Sequence, residues 1–213
     1  AIVSSADYHH VEQQLIPKAN RKYDEKYWQS RKMAPSCLLY YIGVNKPLKE
    51  LQHHNLFFDT DFTKHAEEIY VNPAWPENPL FYVCCPSKTD DTVAPEGCEN
   101  LFILIPTAPG LVETEEIKKK YLDLVIKRLE KLTGQSIASN IIFNKSYGAS
   151  NFMSDYNAFK GNAYGLANTL SQTAFLKPSI RNKKITNLTF TRQLTVPGPG
   201  VPPSLISGQI AAK

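Results

Sequence analysis

The chain has 213 residues, of which 42% are hydrophobic and 21% charged, with 24 Lys and Arg against 20 Asp and Glu. This composition is typical of a globular protein with a real core, and it excludes a disordered chain. The net charge of +4 is too small to indicate a nucleic-acid-binding protein. The longest apolar runs are far shorter than the roughly 20 residues that a membrane-spanning helix needs.

The cysteines do not form the regular framework of a disulfide-rich protein. They are Cys37, Cys84, Cys85 and Cys98. Free thiols are typical of a cytoplasmic protein, and no basic stretch followed by an apolar one indicates a signal peptide. The chain opens with Ala1, Ile2 and Val3, which have the pattern of a buried strand, and it lacks an initial Met. We therefore expect a piece of a longer cytoplasmic protein.

The first half of the chain predicts alternating helices and strands. Aromatic and β-branched residues dominate 36–44, as in a strand. The predicted elements are, in order, a strand at 1–3, a helix at 8–18, a polar connection with helical pieces at 20–33, strands at 36–44 and 55–59, a helix at 61–70, and strands at 80–85 and 100–105. Turn-forming residues at 86–97 predict a loop between the last two strands.

Residues 113–132 predict the strongest helix. Their apolar side chains recur with the 3.6-residue period of an amphipathic helix. These are Ile117, Tyr121, Leu124, Val125, Leu129 and Leu132. Acidic residues stand at its start and basic residues near its end, the order that the helix dipole favours. Gly134 is suited to end the helix.

A basic run lies on the predicted polar face of this helix. It comprises Lys118, Lys119 and Lys120, together with Lys127 and Arg128. One interpretation is a solvated helix face. The other is a docking surface for an anionic membrane. The sequence does not separate the two.

The remaining residues complete an α+β pattern. A strand is predicted at 141–143, helical stretches within 154–173, a strand at 185–190, a Pro/Gly loop at 195–203, and a helix at 205–212 capped by Ser204. The predicted fold class is therefore α+β, with a mostly antiparallel sheet and helices packed on it.

The histidines and cysteines form no pattern typical of a metal site. Neither His-x-x-x-His nor Cys-x-x-Cys occurs. The adjacent Cys84 and Cys85 would face opposite sides of their predicted strand. Asp7 and His9 are not accompanied by the Gly-x-Ser-x-Gly elbow of a hydrolase. The sequence thus predicts no metal site, and we assign no catalytic acid or base.

The segment from 187 to 212 reads as a strand, a rigid Pro/Gly loop and the start of a helix. Gly198 and Gly200 lack a Cβ, so the backbone can approach a ligand closely. The N-terminus of the following helix favours negative charge, such as a phosphate or the electron-rich edge of a reduced flavin. A Pro-rich surface turn is the alternative interpretation, because this motif alone is weak.

This segment resembles the C-terminal flavin-contacting signature of the bacterial phytoene desaturase family, the FAD-dependent carotenoid desaturases and isomerases. The matching positions are Asn187, Leu188, Phe190, Thr195, Pro197, Gly198, Gly200 and Pro202. Further matches follow in family order: Ser-Ala-Asp-x-x-His at 5–10, Leu-x-His-His at 51–54, Pro-Ser-x-Thr-Asp at 86–90, Ala-Pro-x-Gly-x-Glu at 94–99, Gly-Asn-Ala-Tyr-Gly-Leu-Ala at 161–167, and Thr-Ala-Phe-Leu-Lys-Pro at 173–178 with Arg181. Several separated matches in one order make the resemblance specific to this family.

The resemblance implies a domain organisation. Members of the family begin with a βαβ unit whose Gly-x-Gly-x-x-Gly loop holds the FAD pyrophosphate, and this chain has no such loop. Residues 1–10 would be a strand and turn of the FAD domain, 11–180 the α+β substrate domain, and 181–213 the last strand, loop and helix of a Rossmann-like FAD domain. The chain thus resembles the C-terminal portion of the enzyme and is expected to be inactive alone.

The resemblance also implies which residues contact FAD. They are Ser5, Ala6, Asp7, Gln193, Thr195, Pro197, Gly198, Gly200, Val201 and Pro202. Full binding would require the Gly-x-Gly-x-x-Gly region. Arg192 stands where the family usually has Gly, and its side chain is expected either to obstruct the flavin or to turn toward a phosphate.

The family oxidises long polyene hydrocarbons by hydride transfer to the flavin in carotenoid biosynthesis. The resemblance thus implies a hydrophobic carotenoid substrate in an apolar tunnel, and peripheral attachment to the inner membrane face. Candidate tunnel residues, half of which would instead face the core, are Leu38, Leu39, Tyr40, Tyr41, Phe57, Phe58, Phe81, Tyr82 and Phe102. The alternatives are a carotenoid isomerase, a 3,4-desaturase of hydroxylated carotenoids, or a non-catalytic lipid-binding module without a dinucleotide domain.

Overall fold

The computed structural model describes residues 1–213, which divide into two compact units. The terminal unit comprises Ala1–Ser36 and Ser150–Lys213, and the central unit comprises Cys37–Ala149. The predicted boundaries after residues 10 and 180 assign segments to the domains of a longer enzyme, and they stay a prediction.

The central unit is built on a five-stranded sheet. Its strands are β2 (Ser36–Val44), β3 (His54–Phe57), β4 (Phe81–Cys84), β5 (Glu99–Thr107) and β6 (Ile141–Tyr147), in the spatial order β3-β4-β5-β2-β6. The pairs β3–β4, β4–β5 and β2–β6 are antiparallel. The prediction of a mixed fold with a mostly antiparallel sheet is confirmed.

One face of this sheet forms the core of the central unit with a helix. Burial alternates along β5, where Leu101, Ile103 and Ile105 are buried. They belong to the same core as Tyr121 and Leu129 of α4 (Glu115–Thr133). The alternation has the period of a strand and the helix has its own 3.6-residue period, so each element offers one apolar face to the other.

The helix α4 begins two residues later than predicted, at Glu115 in place of Glu113, and ends one residue later, at Thr133. Thr114 precedes the helix, and its hydroxyl accepts a hydrogen bond from the Ile117 N–H at 3.3 Å. Gly134 ends the helix in the left-handed conformation, with a φ of 66°. Such a φ carries little steric cost for glycine, which explains the position of the stop.

Two residues of the basic run on α4 do not fit the interpretation of this run as a solvated helix face. Lys118 is buried, and its ammonium pairs with Glu113 at 3.2 Å and with Glu115 at 3.0 Å. Arg128 pairs with Asp59 and lies over the ring of Phe81. These two cations therefore hold the helix to neighbouring segments and leave Lys119, Lys120 and Lys127 as the exposed residues of the basic run.

The terminal unit joins the two ends of the chain. Its strands β1 (Ile2–Ser4) and β7 (Leu188–Phe190) pair in parallel, with Ile2 opposite Leu188. Tyr8 and Phe190 stack with ring centroids 3.6 Å apart, and Trp28 is fully buried beside them. The unit's helices are α1 (Tyr8–His10), continued by a π-helical turn at Val11–Leu15, then α2 (Glu25–Gln29), most of α5 (Ala149–Tyr156) and α6 (Val201–Ala211).

The last helix begins earlier than the sequence predicts. We expected Ser204 to cap a helix at 205–212, but α6 starts at Val201 and follows Gly200, which has a φ of 110°. Pro202 and Pro203 fit the first turn because proline lacks only the backbone N–H, and an N–H at this position has no partner within the helix.

The central unit has one more helix, α3 (Phe62–Tyr70). No helix combines the length and apolarity needed to cross a bilayer.

Candidate functional site

The terminal unit contains a cavity of about 230 Å³ beside its parallel strand pair. One wall follows the end of β1, and another follows the end of β7. Its lining residues are Ser5, Ala6, Asp7, Tyr8, Phe152, Tyr156, Ala158, Asn162, Ala163, Thr191, Arg192, Gln193 and Leu194. Because the carboxyl ends of parallel strands meet at one edge, two sequence segments far apart in the chain line the same cavity.

Asp7 closes the N-terminal wall of this cavity. Its carboxylate accepts hydrogen bonds from the N–H groups of His10 at 3.0 Å and Phe159 at 3.1 Å. Burial raises the pKa of Asp7, although both hydrogen bonds act to lower it. The carboxylate therefore caps α1 and holds the turn at Phe159 against the cavity.

Arg192 occupies a backbone conformation suited to glycine. Its φ is 80°, in the left-handed region that side chains with a Cβ rarely adopt. Its N–H donates to the Ser207 hydroxyl at 3.1 Å, and its guanidinium donates to the Ser5 carbonyl at 3.0 Å. The guanidinium is thus tied to the opposite wall, and it places a positive charge at the cavity. This conformation gives a physical reason why related proteins would have Gly here.

Gln193 is positioned by the segment at 161–167. Its side-chain amide donates to Asn162 Oδ1 at 3.3 Å, and the same oxygen accepts from the Gly165 N–H at 2.8 Å. Gly165 has a φ of 77°, and a Cβ there would lie 2.7 Å from the Gln193 carbonyl oxygen. Glycine is therefore required for the backbone to approach Gln193 so closely.

The Pro/Gly loop and the start of α6 lie outside the cavity lining. Thr195 is fully buried and donates its hydroxyl proton to the Pro178 carbonyl at 2.8 Å. Of the predicted flavin contacts, Ser5, Ala6, Asp7 and Gln193 line the cavity, whereas Thr195, Pro197, Gly198, Gly200, Val201 and Pro202 form this loop and helix start. The structure thus brings Ser5, Ala6, Asp7 and Gln193 together at the cavity. The other six predicted contacts lie in the Pro/Gly loop and the first turn of α6.

Sequence reasoning missed Lys177 as a site residue. Its side chain is only 4% exposed, and its ammonium has no hydrogen-bond partner. A Cβ on Gly198 would lie 3.3 Å from this nitrogen, so the ammonium packs under the Pro/Gly loop. Burial lowers the pKa of Lys177. An unpaired buried ammonium is costly, and the cost falls when an anion or an electron-rich acceptor binds nearby.

The central unit carries an apolar groove of about 250 Å³ between α3 and strands β3 to β5. Its lining is almost entirely apolar and comprises Leu56, Phe57, Phe58, Phe62, His65, Ala66, Ile69, Tyr70, Leu80, Phe81, Tyr82, Leu104 and Pro106. His65 is held at its base, since its Nδ1 accepts from the Leu80 N–H at 3.1 Å and its Nε2 contacts the Pro106 carbonyl at 2.9 Å.

The sheet face opposite α4 continues this apolar surface. Tyr41, Tyr82 and Phe102 stand on it, with ring centroids 5.4 Å apart for Tyr41–Phe102 and 6.4 Å for Tyr82–Phe102. By contrast, Leu38 and Tyr40 belong to the core under α4. The candidate tunnel residues therefore divide between the two faces of the sheet, as strand alternation requires.

The motif at 86–99 forms a buried polar cluster. Glu99 is buried, pairs with the Lys88 ammonium, and accepts from the Ser87 hydroxyl and from the Leu48 N–H at 3.3 Å. Burial acts to raise the pKa of Glu99, but the hydrogen bonds from Lys88 and Ser87 hold it below its usual value. The motif residues Pro86–Lys88 are thus tied to Glu99, which fixes the loop between β4 and β5.

Comparison with known proteins identifies relatives along the whole chain. The carotenoid 3,4-desaturase of Haloarcula japonica is 44% identical over 212 residues, which cover 100% of this chain and 43% of the relative. The chain is homologous to the carotenoid desaturases. The zeta-carotene-forming phytoene desaturase of Myxococcus xanthus is 30% identical, with 100% of this chain and 41% of the relative covered. The lycopene-forming phytoene desaturase of Pantoea ananas is 29% identical, with 100% and 44% covered.

The chain spans about two-fifths of the length of these relatives, which fits the predicted correspondence to their C-terminal portion. No protein-family model matches the chain. A solved oxidoreductase from Methanosarcina mazei superposes with a TM-score of 0.54 at 12% identity, over 99% of this chain and 42% of that one. This likeness shows a shared fold. The predicted resemblance to carotenoid desaturases is confirmed by the sequence relatives.

Proposed function

We propose that the chain is the C-terminal part of an FAD-dependent carotenoid desaturase, in which the terminal unit contacts the flavin and the central unit contacts the polyene. One observation carries the proposal. The segment Ser5–Asp7 and Gln193, predicted to contact one flavin, line one cavity although they lie near opposite ends of the chain.

The charges of the terminal unit fit a flavin. When bound, FAD would supply the hydride acceptor for the carbon–hydrogen bond that is broken. The N-terminus of α6 and the unpaired Lys177 ammonium favour an electron-rich group next to the loop at Gly198 and Gly200. Gln193 and the backbone at Ser5 and Ala6 would hold the ring on the cavity side. The proposal includes a Rossmann-like FAD domain whose pyrophosphate-binding loop lies in the remaining part of the enzyme.

The apolar groove and the open sheet face of the central unit fit a polyene. A carotenoid has few polar groups, so apolar packing and exclusion of water are what a protein can use to position it. Tyr41, Tyr82 and Phe102 offer a surface of neighbouring aromatic rings, in tilted and edge-to-face pairs, for contact with conjugated double bonds. The chain's role at this surface is to orient the substrate, and none of these residues needs to act as an acid or a base.

Exposed apolar residues at the groove support peripheral attachment to a membrane. Phe58 and Phe62 are 60% and 64% exposed, and Val71 lies exposed just beyond α3. Such residues beside an apolar groove are typical of a surface that enters the bilayer interface. We therefore propose that the polyene passes into the groove from the inner membrane face.

Cosedimentation of the chain with lipid vesicles tests this attachment. The bound fraction should fall for F58S/F62S and stay unchanged for F175S, which alters an exposed Phe of the terminal unit.

A 3,4-desaturase is the second candidate within this proposal. It is favoured by the 44% identity to the carotenoid 3,4-desaturase of Haloarcula japonica, against 30% to the phytoene desaturase of Myxococcus xanthus. The two candidates share the flavin chemistry and differ in the carbon–hydrogen bond that is oxidised.

A chimera tests the proposal. The matching segment of the Haloarcula japonica relative is replaced by this chain, and the hybrid is expressed in bacteria that accumulate either phytoene or a hydroxylated carotenoid. Chromatography should detect a product with additional double bonds. A hybrid that folds and retains FAD but leaves both substrates unchanged would contradict the proposal, with the unmodified relative as positive control.

A further inference from the structure

Three side chains that commonly bind metals meet at one end of the β3–β4 ladder. His53, His54 and Cys84 each offer one ligand atom, and these atoms lie within 4.8 Å of one another. His54 and Cys84 are direct partners in the antiparallel register. His53 immediately precedes β3, so its side chain does not have to alternate with that of His54, and the two rings lie 4.3 Å apart.

Both histidines have a hydroxyl partner on one ring nitrogen. Nδ1 of His53 lies 2.5 Å from the Thr89 hydroxyl, and Nδ1 of His54 lies 2.6 Å from the Tyr82 hydroxyl. Each hydroxyl oxygen can accept a hydrogen bond from the N–H at that nitrogen, which leaves the other ring nitrogen with a lone pair for a cation. Metal-binding histidines are usually oriented by this kind of contact.

Tyr82 links the histidine to the thiol. Tyr82 lies two residues before Cys84, on the same face of β4, and its hydroxyl lies 2.6 Å from His54 Nδ1. The hydroxyl can accept a hydrogen bond from His54 and donate one to the Cys84 sulfur. The phenol thus orients the nitrogen ligand and the sulfur ligand together.

We propose that His53, His54 and Cys84 bind one borderline or soft transition-metal cation, with Zn²⁺ as the probe. Zinc takes imidazole nitrogen and thiolate sulfur at roughly 2.0–2.3 Å in a tetrahedral arrangement, which small side-chain rotations from the present spacing can reach. The fourth position is left for water or another ligand, because His54 is exposed. The bound cation would fasten β3 to β4 at the sheet face that carries Tyr82.

The sequence could not predict this site from ligand spacing. Cys84 lies 30 positions after His54, and only the register of the β3–β4 pair brings them together. The adjacent histidines belong to the Leu-x-His-His segment, which sequence reasoning used only as a family match. The site does not depend on the proposed flavin chemistry.

Zinc titration of the purified 213-residue chain by calorimetry, with a competing chelator, tests the proposal. We expect one Zn²⁺ per chain and at least a tenfold weaker affinity in H53A, H54A and C84S. The matched controls H10A and C98S alter the same residue types elsewhere and should bind as the unaltered chain does. With Co²⁺ as probe, a thiolate-to-cobalt absorption band should appear and be absent in C84S.

A variant of Tyr82, whose hydroxyl contacts His54, separates a specific site from adventitious binding. Y82F keeps all three ligands but removes the hydroxyl, and it should weaken zinc binding by roughly tenfold or more. Zinc binding that is unchanged in both H54A and C84S, or no binding at all by the unaltered chain, would overturn the proposal. If C84S does not fold, two other measurements decide the question. They are zinc binding by H54A, which alters an exposed position, and the cobalt absorption band of the unaltered chain.

Discussion

The central unit and the terminal unit differ in where their backbone departs from ordinary conformations. All four residues other than glycine with a positive φ lie in the terminal unit: Asn157, Lys160, Ala174 and Arg192. The central unit instead consists of regular strands under a long capped helix. Strained backbone is tolerated where the surrounding structure holds it for a ligand. This difference supports the proposal that the terminal unit contacts the cofactor.

The largest expected loss of stability comes from the buried polar cluster of the central unit. E99Q leaves the Lys88 ammonium without its charged partner and should cost about 3 kcal/mol of unfolding free energy. Because the pKa of Glu99 is lowered, its contribution is present above its ordinary pKa and is lost as the pH falls through the lowered value. Denaturant titration measures both effects. E96Q, at an exposed position of the same loop, is the control and should be neutral.

A glycine substitution probes the close approach in the terminal unit. G165A introduces a Cβ only 2.7 Å from the Gln193 carbonyl oxygen at a φ of 77°, and should cost about 2 kcal/mol. G208A is the matched control, because a Cβ there meets no atom within 4 Å and alanine favours the helix α6. Thermal unfolding compares the two. Equal losses for both variants would mean that the contact at Gly165 does not constrain the unit.

Acid should weaken the central unit through His65. Burial lowers the pKa of His65, although its contact with the Pro106 carbonyl acts to raise it. The unfolded chain then binds the proton more readily, so stability falls as the pH drops through the ordinary histidine pKa near 6.5. The slope from this residue is at most about 1.4 kcal/mol per pH unit. Unfolding of H65Q measured at several pH values should lack this component, and an unchanged slope would contradict the assignment.

The smallest predicted effect tests whether the left-handed backbone conformation of Arg192 lowers the stability of the chain. R192G relieves the left-handed conformation and should stabilise the chain by about 0.5–1 kcal/mol. R192A keeps that strain and loses the hydrogen bond to Ser5, so it should be less stable than the unaltered chain. Denaturant midpoints of the two variants decide this. A loss in R192G as large as that in R192A would show that the guanidinium contact outweighs the strain.

The sequence predicted the central unit better than the terminal unit, for a physical reason. The apolar period of α4 and its Gly134 stop depend on local sequence, and β2 has the predicted bounds. The burial of Lys118 depends on the position of Glu113, and helix periodicity alone does not reveal it. In the terminal unit, the pairing of Ile2 with Leu188 joins distant segments, so the resemblance to a family, and not periodicity, pointed to Ser5–Asp7 and Gln193 together.

The site residues that sequence reasoning missed share one property. Lys177 is a candidate only because its ammonium is buried near Gly198 without a hydrogen-bond partner. Cys84 is a candidate only because it pairs with His54 in the register of β3 and β4. Neither contact corresponds to a regular spacing of residues that could be recognised in the sequence. Conversely, the glycine pattern at 198 and 200 was visible in the sequence, and both residues have a φ that favours glycine.

Anaerobic flavin reduction in the purified chimera tests the central claim most directly. The hybrid is loaded with FAD, mixed with one equivalent of its carotenoid substrate without oxygen, and followed by the visible absorption of the oxidised flavin. The account predicts bleaching of that band together with formation of the desaturated carotenoid. A hybrid that binds both FAD and carotenoid but leaves the flavin oxidised would contradict the assignment of the two units to cofactor and polyene.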